Sequence, residues 1–167
     1  MKNILTDDEY CALITDIINK EEFKKINLVE HHGSTRYEHS LKVSYFSFLL
    51  AKSLKLNYVA VARGGLLHDF FMSTEDRNIK DRFISTFVHP KYALKNATSM
   101  FDLNDIEKNI IRSHMFPINY SLPKYLESWL VSFVDKGVAV SEFCCYFKIN
   151  LSYASNYLFL LLLLKLH

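Results

Sequence analysis

Residues that break helices are scarce in this chain of 167 residues, which has four glycines and three prolines. A fold with many tight turns, such as a β-sandwich, needs more of both, so we expect a compact all-α protein. Cysteines are also few, and Cys11, Cys144 and Cys145 lack the Cys-x-x-Cys spacing of a zinc site. We interpret them as small buried apolar residues in a reducing compartment.

An excess of charge of either sign is missing as well, because 20 basic residues against 18 acidic ones leave a net charge of +2. This balance gives no support for a nucleic-acid partner. The first residues lack the basic-then-apolar layout of a signal peptide, so a cytoplasmic location is expected. The longest apolar run, from Tyr157 to Leu164, is far shorter than the roughly 20 residues that span a bilayer. No membrane partner is therefore expected.

Apolar positions recur at helical spacing through most of the chain. The pattern predicts a first helix from about Asp7 to about Lys25 and a long helix from Thr35 to about Lys55. The long helix would direct one stripe of residues inward, and that stripe comprises His39, Val43, Phe46 and Leu50.

Helical patterns continue after this point, with one interruption. Asn57 can cap a helix over 58–70, and the segment 72–88 reads as a long loop with at most one short helix. Pro90 suits the first turn of the next helix, and a last long segment starts at Lys124. We expect a single domain over 1–167, with a core at 33–142. The leucine-rich helix at 143–167 would pack on that core or form a homodimer.

Six residues of metal-binding type stand at the edges of apolar runs, where an unpaired polar group would be costly to bury. Imidazole and carboxylate donors without thiolates suit Fe, Mn, Co, Ni or Zn. Four histidines and two aspartates can hold two divalent ions with one carboxylate as a bridge, an arrangement that activates water for phosphoryl transfer. The six candidates are His39, His68, Asp69, His89, His114 and Asp135.

The order of these residues and their neighbours resembles the HD-domain superfamily of metal-dependent phosphohydrolases over about 33–142. The segments that carry the resemblance are Arg36-Tyr37-Glu38-His39-Ser40, Leu66-Leu67-His68-Asp69, His89-Pro90, Arg112-Ser113-His114 and Val134-Asp135-Lys136.

The resemblance implies an all-α bundle with a core quartet of ligands around one metal, in which Asp69 is the bridge to a second ion. His89 and His114 match the extra histidines of dinuclear members, which include diadenosine-tetraphosphate hydrolases and cyclic-dinucleotide phosphodiesterases. The Gly-Tyr-Pro signature of the cyclic-di-GMP phosphodiesterases is missing, and Phe70-Phe71-Met72 replaces their Gly-Lys stretch. Cyclic-di-GMP is therefore disfavoured as the substrate. The implied quartet is His39, His68, Asp69 and Asp135.

Several side chains have two possible roles at this stage. Arg36 could bind substrate phosphate or pair with a carboxylate, and Lys136 could neutralise phosphate charge or point to solvent. His32 could line the site or belong to a polar turn. His89 could instead cap a helix, and His114 could lie at an exposed helix end. A basic set after the His-Asp pair could form a lid or a solvated surface: Arg77, Lys80 and Arg82.

The resemblance implies hydrolysis of a phosphate ester or anhydride in a nucleotide or another small phosphorylated metabolite, through a metal-activated hydroxide. Asp69 would bridge the ions, and His114 or a metal-bound water would deliver the proton to the leaving group. The site would hold two divalent ions, for which Fe or Mn is favoured and Zn, Ni or Co is an alternative. A mixed-valent diiron oxygenase and a non-catalytic metal- or nucleotide-binding module remain open, because both would use the same ligands.

Overall fold

The computed structural model describes residues 4–28, 30–31, 34–71 and 79–165, and these form seven α-helices and one short β-ribbon. The predicted all-α fold is confirmed. The ribbon pairs β1 (Glu30–His31) with β2 (Ser34–Thr35) in antiparallel register. The helices are α1 (Asp8–Ile18), α2 (Glu21–Lys24), α3 (Arg36–Ser53), α4 (Tyr58–Leu67), α5 (Ile79–Met100), α6 (Asp105–Ser113) and α7 (Leu126–Lys165).

The first helix is shorter than the sequence pattern predicts. Asp7 caps α1 by accepting a hydrogen bond from the Tyr10 backbone N–H at 3.0 Å. The helix ends at Ile18 because Lys20 adopts an extended backbone, so the prediction of one helix to Lys25 is wrong. The break lets α2 begin in a new direction and bury Phe23 in the core.

The long helix α3 begins where the sequence predicts, at a capping box formed by Thr35 and Glu38. The predicted inward stripe is only half correct, because Phe46 and Leu50 are 47% and 45% exposed. The two halves of α3 differ in how closely the rest of the protein packs against them. Most side chains of its first two turns are buried, whereas a groove of about 690 Å³ lies between α7 and the side chains of Phe46 and Leu50.

Helix α4 passes through the middle of the bundle, in contact with α1, α3, α5, α6 and α7. Asn57 caps it as predicted, but it ends at Leu67 rather than Phe70. Gly64 and Gly65 permit the close packing, since a Cβ at Gly65 would lie 3.2 Å from the Ser44 Cα. On one side of α4 lies a core built around aromatic and aliphatic side chains that include Tyr10, Ile14, Phe23, Phe48 and Leu66. The other side packs on a smaller cluster that includes Val43, Val61, Ile110 and Val131.

Helix α5 corrects two predictions. Residues 79–88, expected to belong to a loop, are helical, and Pro90 lies inside α5 rather than in its first turn. A proline inside a helix removes one backbone hydrogen bond and crowds the carbonyl four residues earlier, and the burial of Ala93 and Ala97 in the core favours the helix despite that cost.

Helix α7 is one continuous element of 40 residues, about 60 Å long. Its burial ends at Glu142, and every side chain from 143 to 149 is at least partly exposed to solvent. The prediction that the cysteines are buried is therefore wrong for Cys144 and Cys145, which are exposed, and Cys11 is half-buried. None of the helices in the described ranges combines the length and hydropathy needed to span a membrane.

Candidate metal centre

Two histidines of the site stand directly after helices whose ends orient their rings. His68 follows α4, and its Nδ1 lies 2.7 Å from the Gly65 carbonyl; His114 follows α6, and its Nδ1 lies 2.9 Å from the Ile111 carbonyl. The last carbonyls of a helix have no partner within the helix, so they can accept a ring N–H. Each ring thus donates outward from Nδ1 and directs Nε2 into the bundle.

His39 and Asp135 meet across α3 and α7. The His39 Nε2 lies 3.0 Å from Oδ1 of Asp135, and the same oxygen is 3.6 Å from Nε2 of His68. All three side chains are buried. The structure therefore brings together three of the four residues of the predicted quartet around one point.

Asp69 lies between this group and the other two histidines. Its Oδ1 is 3.2 Å from Nε2 of His89 and 3.6 Å from Nε2 of His114, while its Oδ2 is 3.9 Å from Nε2 of His68. The two imidazoles beyond it approach each other to 2.9 Å between their Nε2 atoms. One carboxylate thus presents its two oxygens to different imidazoles, which is the arrangement expected of a bridging ligand.

The donor atoms lie close enough together to hold metal. Two overlapping sets, His39–His68–Asp135 and His68–Asp69–His114, each place three donor atoms within 4.8 Å of one another. Among the described residues, Nε2 of His68 and Oδ1 of Asp69 are buried without a hydrogen-bond partner. Buried polar atoms are rarely left so, and metal coordination would satisfy both. The imidazole nitrogens and carboxylate oxygens suit first-row divalent metals.

The electrostatics of the cluster keep its carboxylates ionised. Burial opposes this, but the neighbouring imidazoles outweigh it and hold the pKa values of Asp69 and Asp135 well below their usual range. For His39, burial lowers the pKa, yet its contacts with Asp135 and Glu142 outweigh that effect and raise it to about 9. Burial, reinforced by His68 and His89, lowers the pKa of His114 to about 3, so this ring is neutral near pH 7.

Arg36 is buried, and its side chain contacts Phe71 and lies near Asp69. Its Nη1 donates to the Phe71 carbonyl at 2.6 Å, its Nε lies 3.9 Å from Oδ2 of Asp69, and its guanidinium lies 3.9 Å from the centre of the Phe71 ring. The other partner of that ring is His89, stacked at a centroid distance of 5.0 Å. Of the two roles considered for Arg36, the geometry favours pairing with a carboxylate.

Lys136 binds the backbone of one of the site histidines. Its ammonium donates to the carbonyls of His114 and Ser132 and to the Ser132 hydroxyl, at 3.0, 3.1 and 2.7 Å. The Ser132 hydroxyl donates to the same His114 carbonyl at 2.7 Å. These bonds hold the end of α6 against α7, a role that neither of the predicted alternatives included.

The remaining predicted residues cannot be placed. His32 and Arg77 lie outside the residues that the structure describes, and Lys80 and Arg82 lie on α5 at positions whose side chains are not described. Sequence reasoning, for its part, missed Phe71 and Glu142. Glu142 could have been noticed, because it follows Asp135 by two helical turns and therefore shares its face of α7.

Buried histidines and aspartates from five helices and their ends thus form a cluster that could hold metal in an all-helical protein. The family model described as HD domain matches residues 36–138, which is more than half of the chain, so the chain belongs to the HD-domain family. This family comprises metal-dependent hydrolases for the most part, and some members are not hydrolases. No curated protein and no solved structure matches the chain significantly.

Proposed function

We propose that the protein is a metal-dependent phosphohydrolase that cleaves a phosphate ester or anhydride of a nucleotide or another small phosphorylated metabolite. The observation that carries this proposal is Asp69, whose Oδ1 faces His89 and His114 while its Oδ2 faces His68. Two divalent ions, Fe or Mn in preference to Zn, Ni or Co, would activate water and neutralise the charge of the phosphate.

In this proposal the six predicted ligands hold the ions, and other residues orient the ligands. We assign His114 to the metal ligands rather than to proton delivery, because its Nδ1 faces the Ile111 carbonyl and its Nε2 faces His89 and Asp69. Arg36 orients Asp69, and Lys136 holds the backbone of His114. Both cations are thereby engaged within the protein.

A small substrate is favoured over a polymer by the near balance of charge, with 20 basic and 18 acidic residues. Nucleic-acid binding depends mainly on neutralising many phosphates with basic side chains. A single nucleotide or sugar phosphate needs only the charge of the metal site itself.

Purified protein supplied with Mn²⁺ or Fe²⁺ tests the proposal. We expect release of phosphate or of a nucleoside monophosphate from at least one member of a panel of nucleotides and sugar phosphates, without consumption of oxygen. The Asp69→Asn variant should be inactive, and Asp102→Asn, which changes an exposed carboxylate, should retain activity. Oxygen uptake that depends on an added polyol, with no phosphate release, would establish the oxygenase alternative. Metal binding without either reaction would favour the non-catalytic module.

We further propose that a second copy of the chain covers the exposed part of α7. The helix presents large apolar side chains there with exposed fractions of 50–60%, which are Phe143, Tyr146, Phe147 and Ile149. The adjoining groove is lined from α3 by Phe46, Leu49 and Leu50. Because a two-fold dimer buries the same patch on both copies, pairing of two α7 helices would cover both surfaces at once.

A further inference from the structure

The Nδ1 atoms of three site histidines, His39, His68 and His114, face two different kinds of hydrogen-bond acceptor. For His68 and His114, the acceptor is a backbone carbonyl three residues earlier, which is available because the ring stands at a helix end. His39 lies in the second turn of α3, where the preceding carbonyls serve the helix itself. Its ring therefore needs an acceptor from elsewhere in the protein.

Glu142 provides that acceptor from a position 103 residues later. Its Oε2 lies 2.8 Å from Nδ1 of His39, and its side chain is only 7% exposed. The other oxygen, Oε1, accepts from the ammonium of Lys42 at 2.6 Å. Lys42 stands three residues after His39 on α3, so it holds the carboxylate from the same helix.

The contacts with His39 and Lys42 give the Glu142 carboxylate a fixed orientation. Both carboxylate oxygens face nitrogen donors, since Oε1 accepts from the Lys42 ammonium at 2.6 Å and Oε2 lies 2.8 Å from the His39 ring. An ionised carboxylate can only accept hydrogen bonds, so a ring nitrogen facing it must carry the proton. The opposite ring atom, Nε2, faces Asp135 at 3.0 Å and the interior of the metal cluster.

We propose that Glu142 is a positioning residue that fixes the tautomer and orientation of His39, with Lys42 as the residue that holds Glu142 in place. The proposal rests on the metal site of the proposed function, but not on which reaction occurs there. A carboxylate that accepts the second N–H of a ligating histidine orients the ring and raises its basicity, and loss of such a partner weakens metal binding by about 10- to 100-fold.

The test measures metal affinity and ring tautomer together. Electron paramagnetic resonance of free Mn²⁺ measures how tightly the protein binds this ion. We expect Glu142→Ala to bind Mn²⁺ about 10- to 100-fold more weakly than wild type. In Zn²⁺-loaded protein, ¹⁵N–¹H correlation spectra should show the Nδ1–H tautomer of His39 in wild type and a mixture in the variant. A purely structural role for Glu142 would not change the tautomer.

Three further variants separate orientation from charge and from stability. Lys42→Met should weaken binding less than Glu142→Ala, and the double variant Lys42→Met/Glu142→Gln should recover the Nδ1–H tautomer, because an amide oxygen still accepts from the ring. Glu9→Gln is the matched control, since Glu9 also pairs with a lysine of α3, Lys52, on an exposed surface. It should bind metal like wild type.

The outcomes distinguish this proposal from the proposed function. Metal affinity and tautomer unchanged in Glu142→Ala, or in Glu142→Leu if the alanine variant does not fold, would overturn the positioning role alone. Wild type that binds metal but hydrolyses no phosphate ester would overturn only the proposed reaction. A wild-type protein that binds no Mn²⁺ or Zn²⁺ would overturn both.

Discussion

At the scale of single residues, the chemistry of the site depends on which atom of each side chain faces inward. Nδ1 of His39, His68 and His114 faces a carboxylate or carbonyl outside the cluster, and Nε2 faces the aspartates. In the proposed site, Asp69 would bridge the two metal positions, because its Oδ1 faces His89 and His114 while its Oδ2 faces His68. Its loss should therefore affect both positions, whereas loss of a terminal ligand should affect mainly one.

We predict that Asp69→Ala protein, purified without chelator, loses most of the metal that wild type carries. Wild type should approach two transition-metal ions per chain in elemental analysis, because both extra histidines lie within reach of the bridging carboxylate. Asp102→Ala, a change at an exposed carboxylate, should leave the metal content unchanged. Equal occupancy in Asp69→Ala and wild type would refute the bridging role.

A second prediction at this scale concerns the pH dependence of the metal-free protein. Burial lowers the His39 pKa, but contacts with Asp135 and Glu142 raise it from 6.5 to about 9 in the folded state. Protonation of His39 thus stabilises the fold fully below pH 6.5, and this contribution is lost as the pH rises towards 9. The loss is on the order of 3 kcal/mol by linkage.

The measurement is urea unfolding of chelator-treated protein between pH 7.5 and pH 9.5, above the range in which His114, whose pKa is lowered in the fold, acts in the opposite direction. The free energy of unfolding should fall across this range, and His68, whose pKa is also raised in the fold, acts in the same direction. The His39→Gln variant should show a smaller fall. If wild type and His39→Gln lose the same stability with rising pH, another group is responsible.

At the scale of secondary-structure elements, local signals were the most predictable. The sequence predicts the start of α3 at Thr35 and the cap of α4 at Asn57, because each depends on residues a few positions apart. It also shows the order of the six candidate ligands along the chain. The break after α1 and the helical course of 79–88 could not be predicted, since packing against the rest of the bundle decides them. Glu142 reaches His39 across 103 residues, a contact that spacing alone could not predict.

The close packing of α4 on α3 gives a prediction for Gly65. A Cβ there would lie 3.2 Å from the Ser44 Cα, and the backbone of α3 cannot move aside as a side chain can. Alanine favours a helix over glycine by up to about 1 kcal/mol. Overpacking of a core costs about 1–3 kcal/mol, so we expect Gly65→Ala to lower the free energy of unfolding by about 1 kcal/mol.

Gly137 on α7 is the matched control for this change. A Cβ at Gly137 would meet nothing within 4 Å, so Gly137→Ala should raise the free energy of unfolding by about 0.5–1 kcal/mol. Urea unfolding of both variants measures the difference. If the two substitutions change stability in the same direction by the same amount, the contact between α3 and α4 does not limit position 65.

At the scale of the whole molecule, α7 contributes both to the histidine–aspartate cluster and to a surface that the described residues leave exposed. Asp135 and Glu142 lie in its buried part, and the exposed Phe143, Phe147 and Ile149 follow immediately. Burial along α7 thus ends at Glu142 within the described residues, although the helix itself continues without a break. The exposed groove beside α3 could not be foreseen, because periodicity shows which residues share a face but not what covers it.

The leucine-rich sequence at the carboxyl end of α7 predicts that this helix takes part in self-association. Five consecutive leucines, Leu160 to Leu164, point in every direction around a helix at about 100° per residue, so one packing surface cannot cover them all. We expect light scattering to show a dimer or larger assembly for the full chain, and truncation after Asn156 to weaken that association. Metal content should be largely retained, because the six predicted ligands and Glu142 all precede the cut. A full-length chain that remains monomeric without detergent would show that its own domain covers the leucines.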